Sequence, residues 1–109
     1  MEMIEKVFEM SRCDTKVVEK VIVDENIHYL HMIFPNGEGL PIHPSNANLY
    51  MSVVRGILSI GLNKQKIHEY ETGAVIQIPC NTIMNVRNLH EDVLELIVIK
   101  SPTPKKSCL

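Results

Sequence analysis

Short apolar stretches alternate along the chain with breaks rich in Gly, Pro, Asn and Asp. The stretches are rich in Val and Ile, and no convincing helical spacing separates them, which is typical of β-strands. The predicted strands cover residues 16–23, 27–34, 49–55, 57–62, 66–70, 74–78, 82–88 and 93–100. Strands at this regular spacing predict an all-β sandwich or barrel.

Period-two alternation assigns the side chains of each strand to two faces. Residues 27–34 carry Tyr29, His31 and Ile33 on one face and His28, Leu30, Met32 and Phe34 on the other. The same rule groups Leu49, Met51, Val53 and Arg55 on one strand and Met84, Val86 and Asn88 on another. His28 and His31 therefore do not form a pair of ligands to one ion, although His31 could face the barrel interior. His68, near a hairpin, and His90, in a turn, are expected to be solvated.

The two ends of the chain lie outside the predicted barrel. Residues 1–10 fit either a short amphipathic helix or an edge strand, and we favour the strand because the rest of the chain is β. The tail from Ser101 to Ser107 is polar with two prolines, which predicts a poorly ordered end or a short strap across a neighbour. The expected organisation is N-terminal strands in residues 1–26 that pack on or exchange with the barrel, a barrel in residues 27–100, and a tail in residues 101–109.

Size and charge exclude several classes of partner. A length of 109 residues fits one domain with a modest core. The net charge of −2 provides no basic face, so neither nucleic acid nor a membrane surface is an expected partner. No apolar run approaches the roughly 20 residues of a transmembrane helix, and the N-terminus M-E-M-I-E-K lacks a signal-peptide pattern. A cytoplasmic location is the expectation.

The cysteines are Cys13, Cys80 and Cys108, an odd number at wide spacing. This spacing suits neither a disulfide framework nor a zinc site. The prediction is that they are structural or incidental thiols, because reduced Cys behaves as a small buried hydrophobe.

Two segments resemble the paired motifs of the cupin superfamily. The first motif, G-x5-H-x-H-x3–4-E-x6-G, is matched at Gly37, His43 and Gly56. Ser45 stands where the motif has its second His, and Leu49 stands where it has Glu. The retained glycines shape turns, whereas the replaced positions are metal ligands in the family.

The second motif, G-x5-P-x-G-x2-H-x3-N, is matched at Gly73, Pro79 and Asn88. Asn81 replaces the middle Gly, and Met84 takes the position of the last His. The resemblance implies a double-stranded β-helix, or jelly-roll barrel, in which only one of the four metal-binding positions keeps its family residue.

The resemblance and the alternation together predict a mainly apolar pocket inside the barrel. We expect it to be lined by His43, Ser45, Leu49, Met51, Met84 and Asn88, with Asn46 and Asn48 at the rim. An apolar lining with a few directed polar groups is usual for a small-molecule site. The first functional hypothesis is therefore a small-molecule-binding cupin domain that needs no cofactor, and small cupins imply a homodimer.

Alternatives from other classes stay open. The main one is a metal-dependent cupin enzyme, an isomerase or dioxygenase, with an altered ligand set around His43. A soft-metal variant would join His43 to the thioethers of Met51 and Met84, with Cys80, because sulfur ligands suit Cu(I). The simpler interpretation of both methionines is core filling. A Ser-His hydrolase built on Ser45 lacks a carboxylate in the first motif to orient the His, and a structural or regulatory module has no feature of its own in the sequence.

Overall fold

The computed structural model describes residues 3–104, and all regular structure in that range is β. The strands are β1 (Val17–Val23), β2 (His28–Pro35), β3 (His43–Pro44), β4 (Leu49–Arg55), β5 (Ile57–Leu62), β6 (His68–Glu71), β7 (Val75–Ile78), β8 (Ile83–Arg87) and β9 (Val93–Lys100). Each of the eight predicted strands is present, with ends that differ by at most two residues. The prediction of an all-β fold is confirmed.

The strands form two sheets that face each other. One sheet has five strands in the order β1-β2-β9-β4-β7, and the other has four in the order β3-β8-β5-β6. All pairings between these strands are antiparallel. The last strand, β9, is inserted between β2 and β4, so contacts between distant parts of the chain hold the larger sheet together. This is the jelly-roll arrangement of a double-stranded β-helix.

The hydrophobic core lies between the inner faces of the two sheets. On β9, Leu94, Leu96 and Val98 are buried while the residues between them are partly exposed, as expected for a strand with one face inward. Each such side chain contributes roughly 1.5–3 kcal/mol on burial. The core cluster consists of Leu30, Met32, Phe34, Leu49, Met51, Val53, Leu58, Ile60, Ile78, Met84, Val86, Leu94, Leu96 and Val98.

Gly56 makes the abrupt passage from β4 to β5 possible. Its φ of +84° is favourable only for Gly, and a Cβ atom there would lie 2.4 Å from the carbonyl oxygen of Val93. The family glycine at this position is therefore required both by backbone conformation and by close approach of β9.

Three expectations about local structure are wrong. Residues 3–10 form neither the favoured strand nor a helix, and they lie exposed as an arm beside the barrel. Arg55 does not share the inner face with Val53, because a bulge between them in the pairing with β9 turns Arg55 outward opposite Glu95. Cys80 is not a free thiol but is disulfide-bonded, whereas Cys13 is free. Cys108 lies outside the described residues.

The start of the tail crosses one end of the barrel. The Ser101 amide donates to the carbonyl of Asn48, and the Thr103 hydroxyl donates to the carbonyl of Asp24 in the β1–β2 turn, at 2.6 Å. Among residues 3–104, no helix is long and apolar enough to cross a membrane.

Candidate ligand-binding mouth

His43 lies on the short edge strand β3 and faces the barrel interior. Its partner across the β3–β8 ladder is the core residue Met84, and directly opposite residues of an antiparallel pair project to the same face. Pro41 and Pro44 flank this segment and limit its pairing, so the imidazole is only half-buried. Nδ1 of His43 donates to the carbonyl oxygen of Pro41 at 2.7 Å, because a carbonyl can only accept. In the neutral ring Nε2 then carries the lone pair, and it makes no hydrogen bond to residues 3–104.

Ser45 and Asn48 fasten the loop after β3 to the turn between β7 and β8. The buried hydroxyl of Ser45 donates to the Pro79 carbonyl at 2.8 Å and accepts from the Thr82 amide at 3.0 Å. The side-chain oxygen of Asn48 accepts from the amide of Cys80 at 2.9 Å. These bonds fix the loop that carries the predicted rim residues. In this structure the Ser45 hydroxyl therefore positions backbone.

Leu49, Met51 and Met84 lie where the predicted pocket would have its walls, and all three are packed into the core. Their exposed fractions are 1%, 1% and 3%. The space between the sheets at this level is therefore filled by their side chains, which form an apolar floor with the imidazole of His43 at its edge.

Asn88 lies away from the other predicted pocket residues. It follows the far end of β8, four residues and about 13 Å along the strand from Met84. Asn88 is fully buried, and its Nδ2 donates to the carbonyls of Phe34 and Glu91, both at 2.9 Å. Its side-chain oxygen accepts from the amides of His90 and Glu91. The amide of Asn88 thus holds the turn between β8 and β9.

Lys100 and His28, which the sequence analysis did not select, face the interior at the same end as His43. Lys100 is the residue directly opposite both His28 and the core residue Leu49, so all three share the inner face of the larger sheet. The Lys100 ammonium donates to the side-chain oxygen of Asn46 at 2.7 Å. Alternation alone could have identified both residues. Lys100 follows Leu94, Leu96 and Val98 at a spacing of two on β9, and His28 precedes Leu30 and Met32 at the same spacing on β2. We call this end of the barrel the mouth, defined by His28, His43, Asn46, Leu49, Met84 and Lys100.

The family is shown by comparison with known proteins. No protein-family model matches the chain. Over 105 residues the chain is 39% identical to the uncharacterised protein MJ0764 of Methanocaldococcus jannaschii, covering 95% of this chain and 90% of the relative. The crystal structure of that protein, an RmlC-like cupin family protein with a double-stranded β-helix fold, matches with a TM-score of 0.92 over 96% of this chain and 97% of the other. The chain belongs to the cupin superfamily.

More distant cupins support the fold alone. A cupin superfamily protein from Desulfitobacterium hafniense is 12% identical, with a TM-score of 0.72 over 85% of this chain and 83% of that one. A cupin 2 conserved barrel domain protein from Leptotrichia buccalis is 17% identical, with a TM-score of 0.73 over 85% of this chain and 44% of that one. This cupin therefore shares its barrel with proteins of very different sequence.

The metal-binding positions of the family lie inside this cupin's packed barrel. His43 keeps the geometry of a ligand, because a metal-binding His commonly donates its second ring nitrogen to a carbonyl. Ser45 is engaged with backbone, and Leu49 and Met84 are core residues. Among residues 3–104, no group of three or more His, Cys, Asp or Glu is arranged to hold a metal ion. The metal hypothesis at His43 stays a prediction.

His31 lies on the outer face of this cupin's larger sheet, so the suggestion that it faces the interior is wrong. It is fully buried between two carboxylates: Nδ1 is 2.7 Å from Glu19 Oε2, and Nε2 is 2.6 Å from Glu95 Oε2. Burial by itself lowers the pKa of His31, but the hydrogen bonds and charges of both carboxylates raise it above its ordinary value. The other oxygen of Glu95 accepts from Nε of Arg55 at 2.6 Å, and Arg55 also pairs with Asp14.

The N-terminal arm of this cupin lies beside that charged cluster. Residues 7–14 together with Arg55 and Glu95 line a cleft of about 690 Å³. Ser11 donates both its amide and its hydroxyl to Glu19 at 2.9 Å, which ties the arm to β1. The cleft and the cluster are on the outside of the sheet, separate from the mouth.

Proposed function

We propose that this cupin binds a small molecule at the mouth, against His43. The observation that carries the proposal is the hydrogen bonding of that imidazole. Its Nδ1 hydrogen is donated to Pro41, and its Nε2 has no hydrogen-bond partner among residues 3–104. A fixed acceptor beside an apolar floor can recognise a hydroxyl or an N–H group on a ligand with an apolar body.

The packed floor limits what such a ligand can be. Because Leu49, Met51 and Met84 fill the deep interior, the ligand lies above them at the mouth and not in a deep chamber. Asn46 and Asn48, in the loop after β3, are the adjacent polar groups.

The alternative is a metal-dependent cupin enzyme of the isomerase or dioxygenase type with an altered ligand set. The observation that favours it is the same Nε2 atom, since a neutral imidazole with its other nitrogen bonded to a carbonyl is ready to coordinate a metal. Metal content of freshly purified protein separates the two. Near-stoichiometric Fe, Mn, Ni, Cu or Zn that is lost in His43→Gln would favour the enzyme.

Binding is tested by thermal melting of wild type and His43→Gln against a panel of small metabolites. A ligand present at about 100 times its Kd stabilises the native state by about 2.7 kcal/mol, which shifts the melting temperature by several degrees in a domain of this size. We expect at least one compound to raise the melting temperature of wild type and to act much less on His43→Gln. Equal shifts in both proteins, or none in wild type, would contradict a site at His43.

We also propose that the protein is a homodimer through its N-terminal arm. The arm exposes the apolar side chains of Met3, Ile4, Val7 and Phe8 to solvent. Covering such side chains in an interface is favourable, because apolar surface is removed from water. Within residues 3–104, no strand pairs with the outer edge of the adjacent edge strand β1. Sedimentation at high micromolar concentration should give a dimer for the whole chain and a monomer for a variant that begins at Ser11. A monomer in both cases would refute the proposal.

A further inference from the structure

Three basic residues lie at or beside the mouth. Lys20 on β1, His28 on β2 and Lys100 on β9 lie on three neighbouring strands of the larger sheet. Lys20 is the partner of Leu30, a core residue, and Lys100 is the partner of His28, so the three side chains are on the same side of the sheet. Lys20, on the edge strand, is exposed, whereas His28 and Lys100 are partly buried. The sheet therefore brings three nitrogen cations or potential cations toward the same end of the barrel.

Lys100 has no countercharge in the part of the chain that the structure describes. It is partly buried, and its one hydrogen bond goes to the neutral amide oxygen of Asn46 at 2.7 Å. An ammonium group has three hydrogens to donate, so two are left for another acceptor. Within residues 3–104 no carboxylate lies within ion-pair distance of its nitrogen.

Burial and neighbouring positive charge act on Lys100 and His28 in the same direction. Burial, followed by the charge of Lys20, lowers the pKa of Lys100. Burial and then the charges of Lys20 and Lys100 lower the pKa of His28, and the charge of Asp24 opposes them only in part. A bound anion would raise the pKa of both groups, because a nearby negative charge favours their protonated forms.

We propose that the ligand of the mouth is a small organic anion whose carboxylate or phosphate is held by Lys100, with Lys20 and His28 beside it. Its apolar part lies beside the half-buried imidazole of His43, and a donor group on it reaches Nε2 of that ring. This inference rests on the proposed function and specifies the class of ligand. A lysine recognises an anion as a point charge, so the geometry does not distinguish carboxylate from phosphate.

The experiment uses four probes and four variants of the full chain, one of which is His43→Gln. The probes are hexanoate, hexyl phosphate, inorganic phosphate and the neutral hexanol, and binding is followed by NMR titration. Lys100→Met removes the charge and keeps a similar shape, whereas Lys100→Arg keeps the charge. Lys16→Met is the matched control, because it removes one positive charge from an exposed residue just before β1, at the opposite end of the sheet.

We expect wild type to bind at least one of the two hexyl anions more tightly than hexanol. Lys100→Met should lower the affinity for that anion on the order of tenfold or more, whereas Lys100→Arg and Lys16→Met should retain most of the affinity. The preferred head group decides between carboxylate and phosphate, and tight binding of inorganic phosphate would show that the apolar part is not needed. Without ligand, Lys100→Met should melt above wild type, because an apolar side chain replaces an uncompensated charge.

Two results would overturn the inference. One is equal affinity of the anions for wild type and Lys100→Met, and the other is an absence of anion binding by wild type at millimolar probe. If hexanol binds and is weakened by His43→Gln while Lys100→Met has no effect on any probe, the small-molecule site stands and the anion inference fails. If anion binding depends on Lys100 but not on His43, the anion inference stands and the role of His43 fails.

Discussion

His31 Nε2 lies 2.6 Å from Glu95 Oε2, and both residues are on the outer face of the larger sheet, on neighbouring strands β2 and β9. Because Glu19 binds the other ring nitrogen, both nitrogens must donate when the two carboxylates are ionised. The arrangement therefore suits a protonated His31. The ion pairs of His31 with Glu19 and Glu95 link strands β1, β2 and β9. The ion pair between Glu95 and Arg55 links β4 to the same network.

We predict that the free energy of unfolding has a maximum between pH 4.5 and 6.5. The pKa of His31 is raised from 6.5, so its contribution is complete below 6.5 and is lost as pH rises through the folded-state pKa. The hydrogen bond from His31 lowers the pKa of Glu19, and His31 and Arg55 lower that of Glu95 against the effect of burial. Those contributions are complete above 4.5 and are lost as pH falls. Urea unfolding across this range measures the profile.

His31→Gln should flatten that profile and destabilise the protein by on the order of 3 kcal/mol near the maximum, because it removes one member of a buried charge network. The exposed histidine of β6 provides the control: His68→Gln should leave both the stability and its pH dependence close to wild type. A steep fall of stability above pH 6.5 that persists in His31→Gln would assign the pH dependence to other groups.

Gly56 and Gly37 provide a matched pair for the role of the motif glycines. Both have a φ of +84°, but a Cβ on Gly37 would meet nothing within 4 Å, whereas a Cβ on Gly56 would lie 2.4 Å from the Val93 carbonyl. Gly37→Ala should cost about 1–2 kcal/mol from backbone strain alone. Gly56→Ala should cost more, because β9 must also move. Equal losses in chemical denaturation would show that the close approach to Val93 is unimportant.

Asn88→Asp tests whether Asn88 acts on the turn between β8 and β9. A carboxylate cannot donate to the carbonyls of Phe34 and Glu91, which would then be left without the Asn88 donor. We expect a loss of about 2 kcal/mol or more in the free energy of unfolding, with binding at the mouth unchanged in the protein that is folded. Loss of ligand binding with unaltered stability would show that Asn88 belongs to the ligand-binding site and does not stabilise the turn.

The sequence predicted the strands well because their signal is local. Alternation grouped Leu49, Met51 and Val53 on one face without knowledge of the partner strands, and all three are buried. It failed at Arg55, where one extra residue in the pairing with β9 reverses the direction of the side chain. A bulge depends on two strands that are forty residues apart in sequence, and the sequence of β4 alone does not show it.

The site was predicted less well, and the reason is physical. The family motif selected His43, whose cross-strand partner is the core residue Met84, but the motif also selected positions that hold core side chains in this structure. Lys100 and His28 belong to no motif, and they become neighbours only because β9 is inserted between β2 and β4. For His31, alternation correctly placed the residue on the face of β2 opposite Leu30 and Met32. The sequence did not show which of the two faces is the interior, and the packing of Leu30 and Met32 into the core decides this.

Met84→His tests the register of the mouth with a metal ion. Because His43 and Met84 are direct partners across β3 and β8, the new imidazole would stand beside the first, with their Cβ atoms about 5 Å apart. Without metal the substitution should cost about 1–3 kcal/mol, since a polar ring replaces a core thioether. Zn(II) or Ni(II) should recover part of that loss in thermal melting, because the two imidazoles are brought together only in the folded protein. Met84→His combined with His43→Gln should lose the recovery, and wild type should respond little. An equal response to metal with and without His43 would mean that the two side chains do not converge, and the mouth would have to be placed elsewhere in the barrel.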